Sequence, residues 1–389
     1  MASADVVIIG GGCTGTSVAF QLVQRGAGKV ILVERGSVGS GPTAKSIGII
    51  RLHYSYEPLI KLAVRSLELF THFAELTGGV ADFAQAGFLL LASAAQLPLL
   101  QENVALQRAL GVRTSVLGAQ EITAFEPHLR TDDIAGAAYE PDSGYADGYA
   151  TSASFAAAAR RGGAEIWEGI RTDRILVTAG RVRGVETSRG VIEAPTVLAA
   201  AGPWTPALFS PLGIDLPIKA SRQQVVQLAP PEHIGSITTV CEDMIQGFYG
   251  RPEAGGTVLT GVLEDEPEQI VPPDEFNHGV DFDFVERVGR LWQHRYPALG
   301  AAQVRGGYAS LYDVTPDWQP VLGAVDGVTG LYVAAGFSGH GFKLSPALGE
   351  VLADLVCGKV PSIDVGMFQF SRFATGHLIR GHHEQGILG

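Results

Sequence analysis

The chain is 389 residues long, 46% hydrophobic and 17% charged, with a formal net charge of -12 and a pI of about 5.3. This length predicts two domains or three, and the composition excludes a disordered chain. The acidic balance argues against a nucleic-acid face and an anionic-membrane anchor, no apolar run reaches the roughly 18 residues of a membrane span, and three cysteines without CxxC spacing argue against a disulfide framework or a zinc site.

The N-terminus goes at once into Val6-Val7-Ile8-Ile9, with no charged leader or cleavage pattern. With so few cysteines, that predicts a cytoplasmic protein. The β-branched run has no polar alternation and reads as a buried parallel strand. Gly10-x-Gly12-x-x-Gly15, with Cys13 and Thr14 inside it, opens a helix to about Gly26; a second strand runs from Lys29 to Val33, and Glu34 closes it. This is the dinucleotide βαβ spacing. Glycines permit a tight turn and close approach of a pyrophosphate, the helix N-terminus faces the phosphates, and a carboxylate about twenty residues on accepts ribose hydroxyls. The acidic Glu34 disfavours a 2′-phosphate, and hence NADP.

Gly36 to Gly48 is small and polar (Ser37, Ser40, Thr43, Ala44, Lys45, Ser46), as a cofactor-covering loop would be, and leads into Ile49-Ile50-Arg51-Leu52-His53-Tyr54. A helix of apolar spacing follows from Pro58 to about Leu76. After Gly78 a strand at 88–91, a helix at about 95–110 and a short helix near 120–125 interrupt the nucleotide unit. The chain returns at Ser143-Gly144-Tyr145. A small-residue helix at 151–161 precedes a β-meander (166–170, 174–178, 182–187, 191–194) and a buried strand that ends at Gly202. From Ile218 hairpins predominate: strands at 218–228, 236–241, 247–250, 257–263 and 304–311, with one helix at about 281–294. Thr315-Pro316-Asp317 leads to the apolar strand Val333-Ala334-Ala335. That strand breaks into Gly336-Phe337-Ser338-Gly339-His340-Gly341-Phe342-Lys343, and a helix is expected at about 344–357. The expected fold class is α/β plus α+β. A discontinuous Rossmann-like nucleotide domain (1–80, 145–217 and 315–389) carries an antiparallel-sheet substrate domain (81–144 and 218–314).

Taken together, Gly10–Gly15 with Glu34, Ile49-Ile50-Arg51 with Tyr54, Thr315-Pro316-Asp317 and the Gly336–Lys343 run resemble FAD-dependent amine oxidases of the D-amino-acid-oxidase superfamily, with its glutathione-reductase-type fold. The nearest branch is that of sarcosine oxidase, in its monomeric form and in the β subunit of its heterotetramer, together with glycine oxidase. The likeness covers nearly the whole chain in order. It implies extended FAD held by Gly10, Gly12, Cys13, Thr14, Gly15, Glu34, Arg35, Thr43, Ala44, Lys45, Ser46, Ile170, Ala201, Gly202 and Trp204. The same cofactor would meet Gly336, Phe337, Ser338, Gly339, His340, Gly341, Phe342 and Lys343. It also implies a small, often N-methylated amino acid whose carboxylate meets Arg51 and Lys343, in a pocket lined by Tyr54, Phe248 and Tyr249. Oxygen or another acceptor would take the electrons, and the protein could form an oligomer. Three positions depart from the family pattern. Ser310 replaces the cysteine that tethers FAD in the monomeric enzymes, so FAD is expected to be non-covalent. Leu259 replaces their oxygen-activating lysine, and Leu263 an active-site histidine.

Read as chemistry, an amine with an α C–H needs little beyond placement, because the cofactor takes the electrons. Arg51 would grip a carboxylate as a fork and Lys343 as a point charge. His340 is a candidate base, or an imidazole that contacts the flavin. Asp317 is a candidate catalytic carboxylate, or a turn carboxylate after Pro316. A 2-hydroxy acid remains an alternative substrate; it would require His340 or His53 as a base. A role as one subunit of a larger amine dehydrogenase complex also remains open. No metal is expected.

Overall fold

The computed structural model describes residues 2–232, 237–264, 267 and 269–379. Val6–Ile9 lies inside a six-stranded sheet, with Val30–Val33 and Thr196–Ala199 parallel to it on either side. Leu331–Ala335 extends the sheet in parallel, and Val321–Ala324 ends it antiparallel. The strand side chains divide by alternation. Ile8, Leu32, Leu198 and Ala334 pack on the helices Cys13–Gln24, Gly148–Arg161 and Gly341–Val356. Val7, Ile31, Val197 and Val333 pack on a four-stranded sheet through Ile175, Val182, Val185 and Ile192. Both faces are therefore dry, which is why these strands show no polar alternation.

One expectation is corrected here. The segment at 166–170 does not open the meander. Glu165–Trp167 is a parallel edge strand of the six-stranded sheet, with Trp167 opposite Val33. The meander consists of Thr172–Thr178, Arg181–Thr187 and Gly190–Glu193, with Ala2–Ser3 added in parallel. A strand of three residues does not reveal which sheet it joins; its pairing partner does.

The second layer is an eight-stranded sheet built from chain segments on both sides of the meander. Lys219–Ala229 and Gln303–Val314 pair along their whole length. This sheet is mixed rather than antiparallel throughout, because Val240–Asp243 runs parallel to Phe88–Ala92. That parallel pair joins the two halves of the layer. The strand expected at 236–241 begins at Val240, and residues 233–236 lie outside the described residues. Helix Phe282–Arg295 covers the outer face through Val288 and Trp292, which meet Phe248 and Cys241. The inner face carries Val225, Val240, Tyr249 and Leu259 toward Ile47 and Ile49. Among the described residues, no helix is long and apolar enough to cross a membrane.

Candidate active site

A cavity of about 960 Å³ runs between the two layers, from the Gly10–Thr14 loop to Lys343. At its first end the chain is compressed onto itself. Gly10 has φ +109°, and a Cβ there would lie 2.3 Å from the Ala200 carbonyl oxygen; a Cβ on Gly15 would lie 2.0 Å from the Gly10 oxygen. Only glycine fits either place. Glu34 accepts from the Gly11 N–H through Oε2 and from the Gly36 N–H through Oε1, each at 2.7 Å. Thr43 Oγ1 accepts from the Cys13 N–H at 3.2 Å, bringing the covering loop onto the helix start. The Arg35 guanidinium lies 3.8 Å over the Trp204 ring, and Asp274 accepts from both side chains.

The opposite end is set by the Gly336–Lys343 run. Asp313 Oδ2 accepts from the Gly336 N–H at 2.7 Å, and burial raises that carboxyl to about 6. Ser338 has φ +50°, and Gly339, at φ +92°, would place a Cβ 2.7 Å from the Tyr312 ring. The helix begins at Gly341, three residues before the position expected from sequence, so Lys343 lies in its first turn. No acidic residue and no side-chain cap occupy that turn, and Gly341, Phe342 and Lys343 line the cavity with its positive end.

Arg51, Lys343, His340 and Glu242 share this end of the wall, with Tyr249, Tyr312, Gln223 and Leu263 beside them. Arg51 is 3% exposed. Its Nη1 donates to the His53 carbonyl, its Nε lies 3.3 Å from Glu242 Oε2, and its guanidinium stacks on Tyr54. Burial and then Arg51 hold the Lys343 ammonium down at about 7, while Glu242 opposes that drop. Burial, Lys343 and Arg51 keep His340 neutral by holding it well below its ordinary value. Its Nδ1 is 3.1 Å from the Tyr54 hydroxyl. Burial also raises the Tyr54 phenol, so Tyr54 stays protonated and serves as the donor. The proton of the neutral imidazole is then assigned to Nε2, which is buried and has no hydrogen-bond partner among the described residues.

These features fit a bound flavin dinucleotide. The fit rests on side-chain-free loops at a helix N-terminus, a ribose-side carboxylate, and an unpartnered Nε2 near a second helix N-terminus. A family model for FAD-dependent oxidoreductases of the DAO type matches residues 5–355. The chain belongs to this family.

FAD-dependent oxidoreductase domain-containing protein 1 of Xenopus laevis is 30% identical over 414 residues, covering 95% of this chain and 82% of that protein. Glycine oxidase of Geobacillus kaustophilus is 28% identical, over 95% of this chain and 97% of its own. The crystal structure of L-proline dehydrogenase from P. horikoshii superposes with a TM-score of 0.90 at 27% identity, covering 97% of this chain and 100% of that one. The protein is accordingly an FAD-dependent enzyme of the amino-acid-oxidase type.

Most positions expected to hold the FAD of this oxidoreductase line the cavity: Gly10, Gly12, Cys13, Thr14, Glu34, Arg35, Thr43, Lys45, Ser46, Ile170, Ala201, Gly202, Trp204 and 337–343. Gly15, Ala44 and Gly336 lie one layer behind, as backbone supports. Lys45 reaches across to the Ala309 carbonyl and His278, at 3.3 Å each.

Phe248 is corrected as a pocket residue. Alternation turns it away from the cavity onto Trp292, ring centroids 5.1 Å apart, and leaves Tyr249 facing in. Tyr54 is also corrected: it is fully buried behind the wall, carrying Arg51 and His340 rather than lining the pocket. His53 faces Glu140, with 3.9 Å between Nδ1 and Oε1, and burial holds it neutral at about 3. Asp317 is a turn carboxylate. Arg372 grips it through Nε at 2.8 Å and Nη2 at 3.0 Å, and it is absent from the cavity wall. Leu263 lines the cavity, whereas Leu259 packs behind it with Val225 and Tyr249. Sequence reasoning missed Glu242, Tyr312 and Gln223. For Glu242 a signal existed, a lone carboxylate at an inward position of the strand Val240–Asp243.

Proposed function

We propose that this enzyme oxidises the C–N bond of a small amino acid or N-alkyl amino acid to an imine, which then hydrolyses. The carrying observation is that two buried cations, Arg51 and Lys343, line one end of the cavity, where Glu242 pairs with Arg51. Buried cations that line a cavity favour an anionic ligand. A substrate carboxylate would do so and fix the adjacent carbon. FAD, when bound, supplies the acceptor for a hydride from that carbon. Gly10–Thr14 and Glu34 would hold its pyrophosphate and ribose, and the start of Gly341–Val356 its ring. The chain's contribution is placement and the exclusion of water. Non-covalent FAD is favoured because Cys13 is the one cysteine on the wall and lies at the pyrophosphate end, while Ser310 occupies the wall near the ring end.

A 2-hydroxy acid fits less well. Its hydroxyl proton needs a base, whereas His340 has Nδ1 taken by the Tyr54 hydroxyl and Nε2 buried, and His53 lies behind Arg51. The test is an anaerobic titration of purified holoenzyme with amino acids, N-methyl amino acids and 2-hydroxy acids, following the visible absorbance. Loss of the absorbance with an amino acid or N-alkyl amino acid is the expected result. Loss with hydroxy acids alone would overturn the proposal. Colour that remains on the protein after acid precipitation would overturn non-covalent binding.

A further inference from the structure

The carboxylate reading leaves one charged group of the wall without a task. Glu242 is 4% exposed and belongs to the strand Val240–Asp243. Alternation sends Cys241 and Asp243 to the helix side, where Asp243 pairs with Arg295, and sends Glu242 into the cavity. Burying a carboxylate costs several kcal/mol, so its presence calls for partners. Arg51 is one, but Arg51 is also held by the His53 carbonyl and the Tyr54 ring, two contacts that do not involve Glu242. An ionised carboxylate has about four acceptor positions, more than one guanidinium contact uses.

This part of the wall therefore presents Arg51, Lys343 and Glu242 side by side; Asp313 also lines the cavity, and its carboxyl accepts from the Gly336 and Phe337 N–H groups. The other polar groups of the wall cannot replace Glu242. His340 is a neutral imidazole, and Gln223 Nε2 donates to Glu264 Oε2 at 2.9 Å and to Ser221 Oγ at 3.0 Å. Burial keeps the Tyr249 and Tyr312 phenols protonated, and the two are hydrogen-bonded to each other. A ligand complementary to this wall carries a carboxylate with an N–H donor on the neighbouring carbon. Its carboxylate meets Arg51 and Lys343, and its nitrogen donates to Glu242.

We propose that Glu242 is the acceptor for the substrate's amino nitrogen, and hence the residue by which the site selects amino acids over other small carboxylates. This rests on the carboxylate reading of Arg51 and Lys343. The test uses calorimetry on holoenzyme below pH 7 with two ligands that cannot form an imine: α-aminoisobutyrate, which has no α hydrogen, and isobutyrate, which has no amine. Wild type should bind α-aminoisobutyrate about tenfold or more tightly than isobutyrate, the scale of a charge-assisted hydrogen bond. In Glu242→Gln the two affinities should come within about twofold, with isobutyrate binding kept or improved because an anion beside Arg51 has gone. Glu242→Asp, which keeps the charge, should retain the preference in weakened form, and it decides the matter if the Gln variant does not fold. Equal affinities in wild type, or a preference that survives in Glu242→Gln, would overturn the assignment. An equal loss of both ligands in Glu242→Gln would reduce Glu242 to a support for Arg51. Wild type that binds neither ligand would refute the carboxylate reading instead.

Discussion

Lys343 makes carboxylate binding depend on pH in a window that ordinary lysines do not reach. Burial and Arg51 hold its ammonium at about 7 in the free protein, against an ordinary 10.5. A bound carboxylate favours the charged form and raises that value again. Below pH 7 the ammonium is already charged, so Lys343 adds no further pH dependence there. Above pH 7 binding must take up a proton, and each further pH unit should weaken isobutyrate binding about tenfold, or about 1.4 kcal/mol. By pH 9 the loss should be about 100-fold. Isobutyrate itself is ionised throughout, and His340 and His53 are neutral throughout. Asp313, at about 6, has already ionised, whereas Glu140 titrates at about 7 behind Arg51 and adds an anion as pH rises. Glu140 therefore steepens the same slope, and Lys343→Met separates the two: it should remove the tenfold term and leave only the Glu140 part. Calorimetry in two buffers of different ionisation heat gives both the affinity and the proton uptake, expected to approach one proton per ligand above pH 8. Affinity that stays flat from pH 7 to 9 in wild type, or an unchanged slope in Lys343→Met, would refute the reasoning.

Three further outcomes follow from the packing. Gly339→Ala places a Cβ 2.7 Å from the Tyr312 ring at φ +92°; it should cost about 1–3 kcal/mol in urea unfolding and lower the FAD content of purified protein, and normal values for both would contradict the tight approach. Arg372→Ala removes the ion pair of the buried Asp317 and leaves it with the Thr315 hydroxyl and the Gln319 and Ile379 N–H groups as donors, so stability should fall by about 2–4 kcal/mol while kcat of the folded fraction is kept; a lost kcat at normal stability would return Asp317 to the chemistry. Phe248→Leu should lower stability by about 1–2 kcal/mol with KM unchanged, and Tyr249→Phe should alter KM with little effect on stability, because the two side chains face opposite sides of one strand. The reverse pattern would overturn that register.

Local chemistry carried much of this protein. Gly10, Gly12 and Gly15 with Glu34 are legible because a phosphate loop joins one strand to one helix within a few residues, and at Gly10 and Gly15 the close approach of backbone admits only glycine. The order of strand runs indicated two layers for the same reason: β-branched stretches with no polar face must be covered on both sides. The rest was decided in three dimensions. Whether Phe248 or Tyr249 meets the cavity depends on which side of the sheet the helix Phe282–Arg295 covers, and alternation alone is symmetric between the two. Glu165–Trp167 could be placed only by its partner Val30–Val33. Tyr54 is adjacent to the motif that carries Arg51, yet its side chain supports the wall from behind. Glu242 stands beside Arg51 because Val240–Asp243 pairs in parallel with Phe88–Ala92, a contact between distant segments. The carboxylate itself is visible in the sequence; the cations it faces are set by the fold, because charges act through space and not along the chain.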